Sequence, residues 1–353
     1  MTDASTVDQL EQRLGADWTH LRDAREKANC TTTQLREALK RFDSADTVIV
    51  VSGSLARKEF TSGSDIDWTL LVDGSADPQH YDLTAKINEI VDAIAGKPTG
   101  AEGTFSAMVF SHDLIHDIGG EDDTNRNTTR RLLLLLESAP VGREDAYTRV
   151  LRSILSRYLR EDRGFWKGSQ FRVPRFLQND FARYWRTMAV DFAYKLRKRS
   201  GKGWAIRNIK LRMSRKLIYV SGLLACFQCH LDHSPKEWSK IADSPDRDEQ
   251  IVNYYSQMFQ QTPLEIVSGV LLRYPHLDEA AGQILGSYNE FLGILADKNK
   301  RHHLESLAEG DAETDSVYQG ARQLSHSYRD GLLRLFFDPT SGIDELTKNY
   351  GVF

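Results

Sequence analysis

The sequence predicts an α/β domain, built as a small mixed sheet with flanking helices, followed by an all-helical domain. Three observations predict it. Two β-branched and apolar runs lie between residues 47 and 72, separated by a Gly-Ser turn and a short polar segment. Strand-like runs disappear beyond Pro140. Nearly everything else carries apolar residues spaced three or four apart, the period of a helix with one buried face. These patterns divide the chain into N-terminal helices over 1–45 that pack on the α/β domain, the α/β domain over 46–143, and the helical domain over 144–353.

Leu10, Leu14, Trp18 and Leu21 mark a first helix, and TTTQLREALKRF a second, with Thr31 to Thr33 offering N-cap hydroxyls. Thr47 to Val51, TVIVV, is a strand that ends in Ser52-Gly53-Ser54. Asp65 to Val72, DIDWTLLV, is a second strand closed by Asp73-Gly74. Helical spacing returns over 78–95. FSAMVFS, Phe105 to Ser111, predicts a third strand, and Thr124 to Ser138 a buried helix. Beyond Pro140 the spacing predicts helices over 146–159, 176–198, 206–230, 248–259, 263–273, 278–298 and 316–337.

Of the 353 residues, 40% are hydrophobic and 27% charged, which allows an ordinary core. No run reaches the ~18–20 apolar residues that cross a bilayer, so no membrane is expected. The acidic, polar start and three cysteines, Cys30, Cys226 and Cys229, lead to a cytoplasmic expectation. A net charge of -4 hides an asymmetry: residues 151–220 hold 19 Lys and Arg against 4 Asp and Glu. That concentration fits a polyanionic partner, either RNA, DNA or a triphosphate tail. Helix 181–198 interleaves Arg183, Arg186, Lys195 and Arg197 with Tyr184, Trp185, Phe192 and Tyr194, which suits stacking beside phosphate contact and equally suits an amphipathic helix with a solvated face.

The stretch from Val48 to Val72 carries the chemistry. Gly53 lets the chain leave the strand tightly and approach a phosphate without a Cβ in the way. The amides after it, with the Ser54 hydroxyl, can donate to a triphosphate. Asp65 and Asp67, two apart on a strand, project from the same face. Their mutual repulsion is relieved by a hard dication such as Mg2+, which takes one or two carboxylates together with substrate phosphates.

Gly53-Ser54, a ten-residue spacer and Asp65-x-Asp67 resemble the signature of the DNA-polymerase-β-like nucleotidyltransferase superfamily. The wording GSLARKEFTSGSDIDWTLLV is most similar to its branch of bacterial uridylyltransferases and minimal nucleotidyltransferases, with DDTNRNTTRRLLLLLESAPVGRED resembling the helix that closes the domain there. The resemblance implies transfer of a nucleoside monophosphate from an NTP, release of pyrophosphate, and Mg2+ or Mn2+, two ions, at Asp65 and Asp67. It also implies a third carboxylate on the neighbouring strand. FSAMVFS contains no acid, which leaves Asp113, with Glu102 as the other candidate.

Other features are weighed the same way. Arg57 and Lys58 are nucleotide-contact candidates that exposed loop charges alone would also explain. Lys210, Arg212 and Lys216 are candidates for lining the nucleotide cleft. Cys226-x-x-Cys229-His230 fits a haem-attachment string but continues an apolar helix, where cysteine is a small core residue. Arg301-His302-His303 reads as a polar turn. Three functions compete: transfer to a macromolecular acceptor (RNA, including a tRNA end, or a protein side chain); synthesis of a signalling or cyclic oligonucleotide or modification of a small molecule; and a catalytically degenerate binding module.

Overall fold

The computed structural model describes residues 4–96, 108–167, 172–198 and 201–351. The chain opens with α1 (Thr6–Leu14) and α2 (Thr19–Leu39). The strands β1 (Thr47–Ser52), β2 (Asp67–Val72), β3 (Met108–Phe110) and β4 (Ser138–Val141) follow, with α3 (Gln79–Ala95) and α4 (Asn125–Leu136) flanking them. From there the chain is helical: α5 (Asp145–Glu161), α6 (Arg175–Lys198), α7 (Trp204–Lys210), α8 (Lys216–Leu231), α9 (Arg247–Met258), α10 (Pro263–Arg273), α11 (Asp278–Ala296), α12 (Lys298–Ser306) and α13 (Ser316–Phe336), with shorter helical turns between them. No helix among the described residues is long and apolar enough to cross a membrane.

The sheet order is β3-β2-β1-β4, with β1 antiparallel to β2 and β4, and β2 parallel to β3. Both faces are covered, which explains the unbroken apolar runs. Val48, Val50, Leu71 and Val109 join the core of the helices that follow, while Ile49, Val51, Leu70 and Val72 pack against α2 and α3. β4 is absent from the sequence expectation, which ran the preceding helix to Ser138. Its Pro140 pairs across to Val50 on an edge strand, where a missing N–H is tolerated.

The N-terminal helices divide elsewhere than their spacing suggests. Gly15 takes φ 60° and ends α1 as a left-handed C-cap. Thr31 to Thr33 lie inside α2 rather than capping a helix, and the Thr33 hydroxyl donates back to the Asn29 carbonyl at 2.9 Å. α1 packs on α10, where the Thr6 hydroxyl donates to the Glu265 carbonyl at 2.9 Å. α2 touches α11 as well as α3 and β4, so this segment bridges the sheet and the helices.

The expected helix over 206–230 is interrupted by a π-helical turn, Leu211–Arg215. Cys226 and Cys229 are buried in the apolar α8, as core residues. Arg301, His302 and His303 belong to α12 rather than to a turn, with His303 Nε2 2.6 Å from Asp315.

Candidate active site

β1 delivers the chain into a one-turn helix, Gly53–Ala56, and Gly53 makes the corner with φ +68°. A Cβ there would sit 3.0 Å from Asp67 Oδ2, so both backbone conformation and space select glycine. The register Ser52↔Asp67 brings the Gly-Ser turn beside the second acid, and the Gly53 amide donates to the Glu137 carbonyl at 3.2 Å. Gly53→Ala is expected to destabilise by about 1–2 kcal/mol, the scale of a left-handed L-residue, and to push Asp67 off its position. Urea denaturation with Mg-NTP titration checks this; wild-type stability together with wild-type affinity would contradict it.

Asp65 lies in the irregular segment just before β2, not on the strand, and Asp67 is the strand's first residue. The extended alternation nevertheless holds: Ile66 is buried between two exposed acids. The Asp67 carboxyl is raised from its ordinary range, first by lost hydration and then by the charges of Glu137 and Asp65, against the pull of Arg215 and Arg57. Asp67 is thus open to water on one side yet poorly hydrated, the condition of a recessed carboxylate. Among the described residues no group of three or more His, Cys, Asp or Glu is arranged around a metal. A pair of carboxylates fits Mg2+, which fills its remaining positions with phosphate and water.

The facing wall comes from the helical part. Lys210 is pushed down to about 8, chiefly by lost hydration, then by Arg301 and Arg215, and is held up by Asp65 and Glu305. Arg215 interacts with Asp67, reaches the Tyr184 hydroxyl, and keeps 45% of its side chain accessible. In a regular α-helix Lys210 and Arg215 would point about 140° apart. The intervening i→i+5 turn sets residues five apart close to one face, and such turns recur at functional sites. The spacer before the acids is tied to the same wall. The Ser62 hydroxyl donates to the Ala296 carbonyl at 3.2 Å, and the Arg301 guanidinium lies over Gly63, where a Cβ would be 2.6 Å from its Nη1.

Glu137, buried where α4 meets β4, joins the two sides. Arg57 binds one of its oxygens and Arg215 Nη1 the other, the latter at 3.3 Å, while Arg57 also pairs with Glu59 at 2.8 Å. Glu137 is therefore an acid next to the pair whose oxygens are already held by two arginines. Reading the sequence misses it, together with Arg215 and Arg301.

Several expected residues fall elsewhere. Asp113 lies in the short helix Ser111–Ile115 after β3, which runs parallel to β2, so it stands beyond Val72 rather than near Asp67. Five strand residues, about 16 Å, separate those ends of β2, and the charge of Asp113 acts on Arg130 instead. Glu102 lies outside the described residues. Lys58 turns to Glu265 at the start of α10, at 3.3 Å, and Arg57 is consumed by the buried ion pairs. Lys216 lies among Arg212 and Arg329, and Arg212 Nε donates to Asn208 at 2.8 Å.

No curated protein and no solved structure matches the chain, and nothing singles out the uridylyltransferase branch. Residues 33–101, which hold β1, the Gly53–Ser54 turn, both acids and α3, match the model of the nucleotidyltransferase domain. By that domain, of the DNA-polymerase-β-like superfamily, the protein is a nucleotidyltransferase.

Proposed function

We propose that the protein moves a nucleoside monophosphate from an NTP to a macromolecular acceptor, with Asp65 and Asp67 holding Mg2+ or Mn2+ beneath the triphosphate. The observation that carries this reading is the contact between the Gly53 corner and Asp67, opposite Lys210 and Arg215 across one cleft. The cation, when bound, neutralises phosphate charge and polarises the phosphorus under attack. Asp65 and Asp67 orient it; Lys210 and Arg215 meet the β- and γ-phosphates; Gly53 and Ser54 let the backbone come close. The acceptor hydroxyl gives up its proton to water, its oxygen bonds to the α-phosphorus, and the α–β bridging bond breaks to release pyrophosphate.

Incubation with each α-labelled NTP, Mg2+ and cell extract, followed by nuclease or protease, tests the reading. Label lost to nuclease or to protease identifies a macromolecular acceptor and its kind. A small labelled product would overturn that part in favour of oligonucleotide synthesis or small-molecule modification. No label, with Asp65→Ala and Asp67→Ala equal to wild type, would sink catalysis. The same assay carries a pH test, since Lys210 loses its charge as pH rises through about 8. The KM for NTP is expected to climb between pH 7 and 9, and Lys210→Arg to flatten that rise. Lys210→Ala should raise KM about 10- to 100-fold at pH 7, the worth of a charge-assisted hydrogen bond, with the gap to wild type narrowing toward pH 9.

A further inference from the structure

We propose that the groove along α6 seats a single-stranded nucleic acid and presents its terminal hydroxyl to the cleft. The inference rests on the transfer reading above and deepens it by assigning the acceptor's class. The groove encloses about 1150 Å³ between α6, the Tyr219–Leu223 side of α8 and Tyr350. That exceeds the ~300–1,000 Å³ of a site for one small molecule and suits a chain.

Its lining combines what a strand needs. Of six exposed large hydrophobic side chains among the described residues, three stand here: Phe176, Val190 and Tyr194, at 49%, 69% and 56% exposure. Trp185 stacks on Tyr219 with centroids 5.5 Å apart and planes at 19°, a flat aromatic wall. Arg186 and Arg197 are exposed on the same lining. Arg175 and Arg183 also line the groove but are engaged by Asp162 and by Asn125 with Asp123. Asp191 is the one acid on the described lining. Rings that stack any base beside cations that track phosphates are the recognition mode of single strands; an apolar peptide would leave the arginines without partners.

The groove ends one helical turn from Arg215. Arg215, Tyr219 and Leu223 follow at four-residue intervals, hence along one helical face, and a single turn of about 6 Å separates Arg215 in the cleft from Tyr219 in the groove. Tyr184 reaches Arg215 and its neighbour Trp185 lines the groove, so α6 makes the same passage. A strand leaving the groove along this face reaches Arg215, whose charge acts on Asp67.

The test uses the full chain and fluorescein-labelled RNA of about 12 nucleotides, within the site sizes of such grooves, with DNA of the same sequence and the RNA duplex as further arms. Saturable anisotropy binding of RNA, DNA or both is expected, with the two arms telling the sources apart, and at least tenfold weaker binding of the duplex. Arg186→Glu with Arg197→Glu should weaken strand binding at least tenfold and flatten its salt dependence; Tyr194→Ala should weaken it at least fivefold. Stabilisation by Mg-NTP should persist in all of these variants. Absent strand binding, wild-type affinity in the arginine variant, or equal affinity for the duplex overturns the proposal; a protein occupant would produce the first. Strand binding lost in the groove variants, with no strand labelled in the transfer assay, upholds the groove as a strand site and overturns its presentation of the terminal hydroxyl; no label on any acceptor overturns the transfer reading on which the proposal rests.

Discussion

Asp67→Asn is expected to lower nucleotidyl transfer by at least about 10²- to 10³-fold, the scale of losing one preorganised electrostatic group, while leaving the fold at least as stable as before. The two effects share a cause. The charged form of Asp67 is disfavoured in the folded chain by lost hydration, Glu137 and Asp65. A carboxyl raised in this way favours folding at low pH, where it is protonated, and that contribution is lost as pH climbs through its folded value. The neutral amide removes the penalty. The variant's melting midpoint should therefore equal or exceed that of wild type at pH 7.5, and the difference should shrink as pH falls toward the ordinary carboxylate range. Mg-NTP should raise the wild-type midpoint and leave the variant's unmoved. Melting curves with and without Mg-NTP, beside the transfer assay, check both halves. A variant that transfers at a tenth of the wild-type rate or better, or that keeps its Mg-NTP shift, would contradict the assignment of this acid.

Glu137→Ala is expected to act in the opposite direction on stability. Removing the carboxylate leaves the buried Arg57 with Glu59 alone and frees Arg215 from its anchor. Breaking a buried pair costs about 3–5 kcal/mol, and the surviving Glu59 contact places the expected loss near the lower end. Because Arg215 belongs to the cleft wall, KM for NTP should rise along with the loss of stability. Glu137→Gln preserves the shape and part of the hydrogen bonding, so it should recover much of the stability and little of the effect on KM. Denaturant titration with steady-state kinetics on both variants decides the matter: equal KM values in wild type and Glu137→Gln would limit Glu137 to a structural part.

The elements that depend on local chemistry are legible in the sequence. β1 and β2 follow from β-branched runs, and Gly53 from the need for a tight corner. The helical spacing beyond Pro140 reappears in α5, α6, α9, α10, α11 and α13, while the one helix expected over 206–230 is divided into α7 and α8, and α12 stands where a polar turn was expected. What escapes depends on distance or on departures from regular geometry. Glu137 meets Arg57 and Arg215 across 80 and 78 residues, so neither neighbour is visible in its own segment. Lys210 and Arg215 share a wall because of a π turn, and a regular helical wheel separates them. β4 hides because Ser-Ala-Pro-Val reads as the end of a helix, and only the free edge beside β1 makes it a strand. Asp113 fails as a third acid because β3 runs parallel to β2, a fact of sheet topology rather than of spacing.

One face of the sheet, with Val48, Val50, Leu71 and Val109, belongs to the same apolar cluster as Leu224, Phe291 and Leu335 of the helices. The part of the chain that carries the acids and the part that carries the cations thus share one core. Domains that separate on opening keep private cores and a thin, polar interface. Here, parting the two halves would expose the underside of the sheet to water. The molecule should consequently melt in one cooperative step, and exchange of nucleotide should proceed by swinging side chains such as Lys210 and Arg215 rather than by hinging one half away from the other.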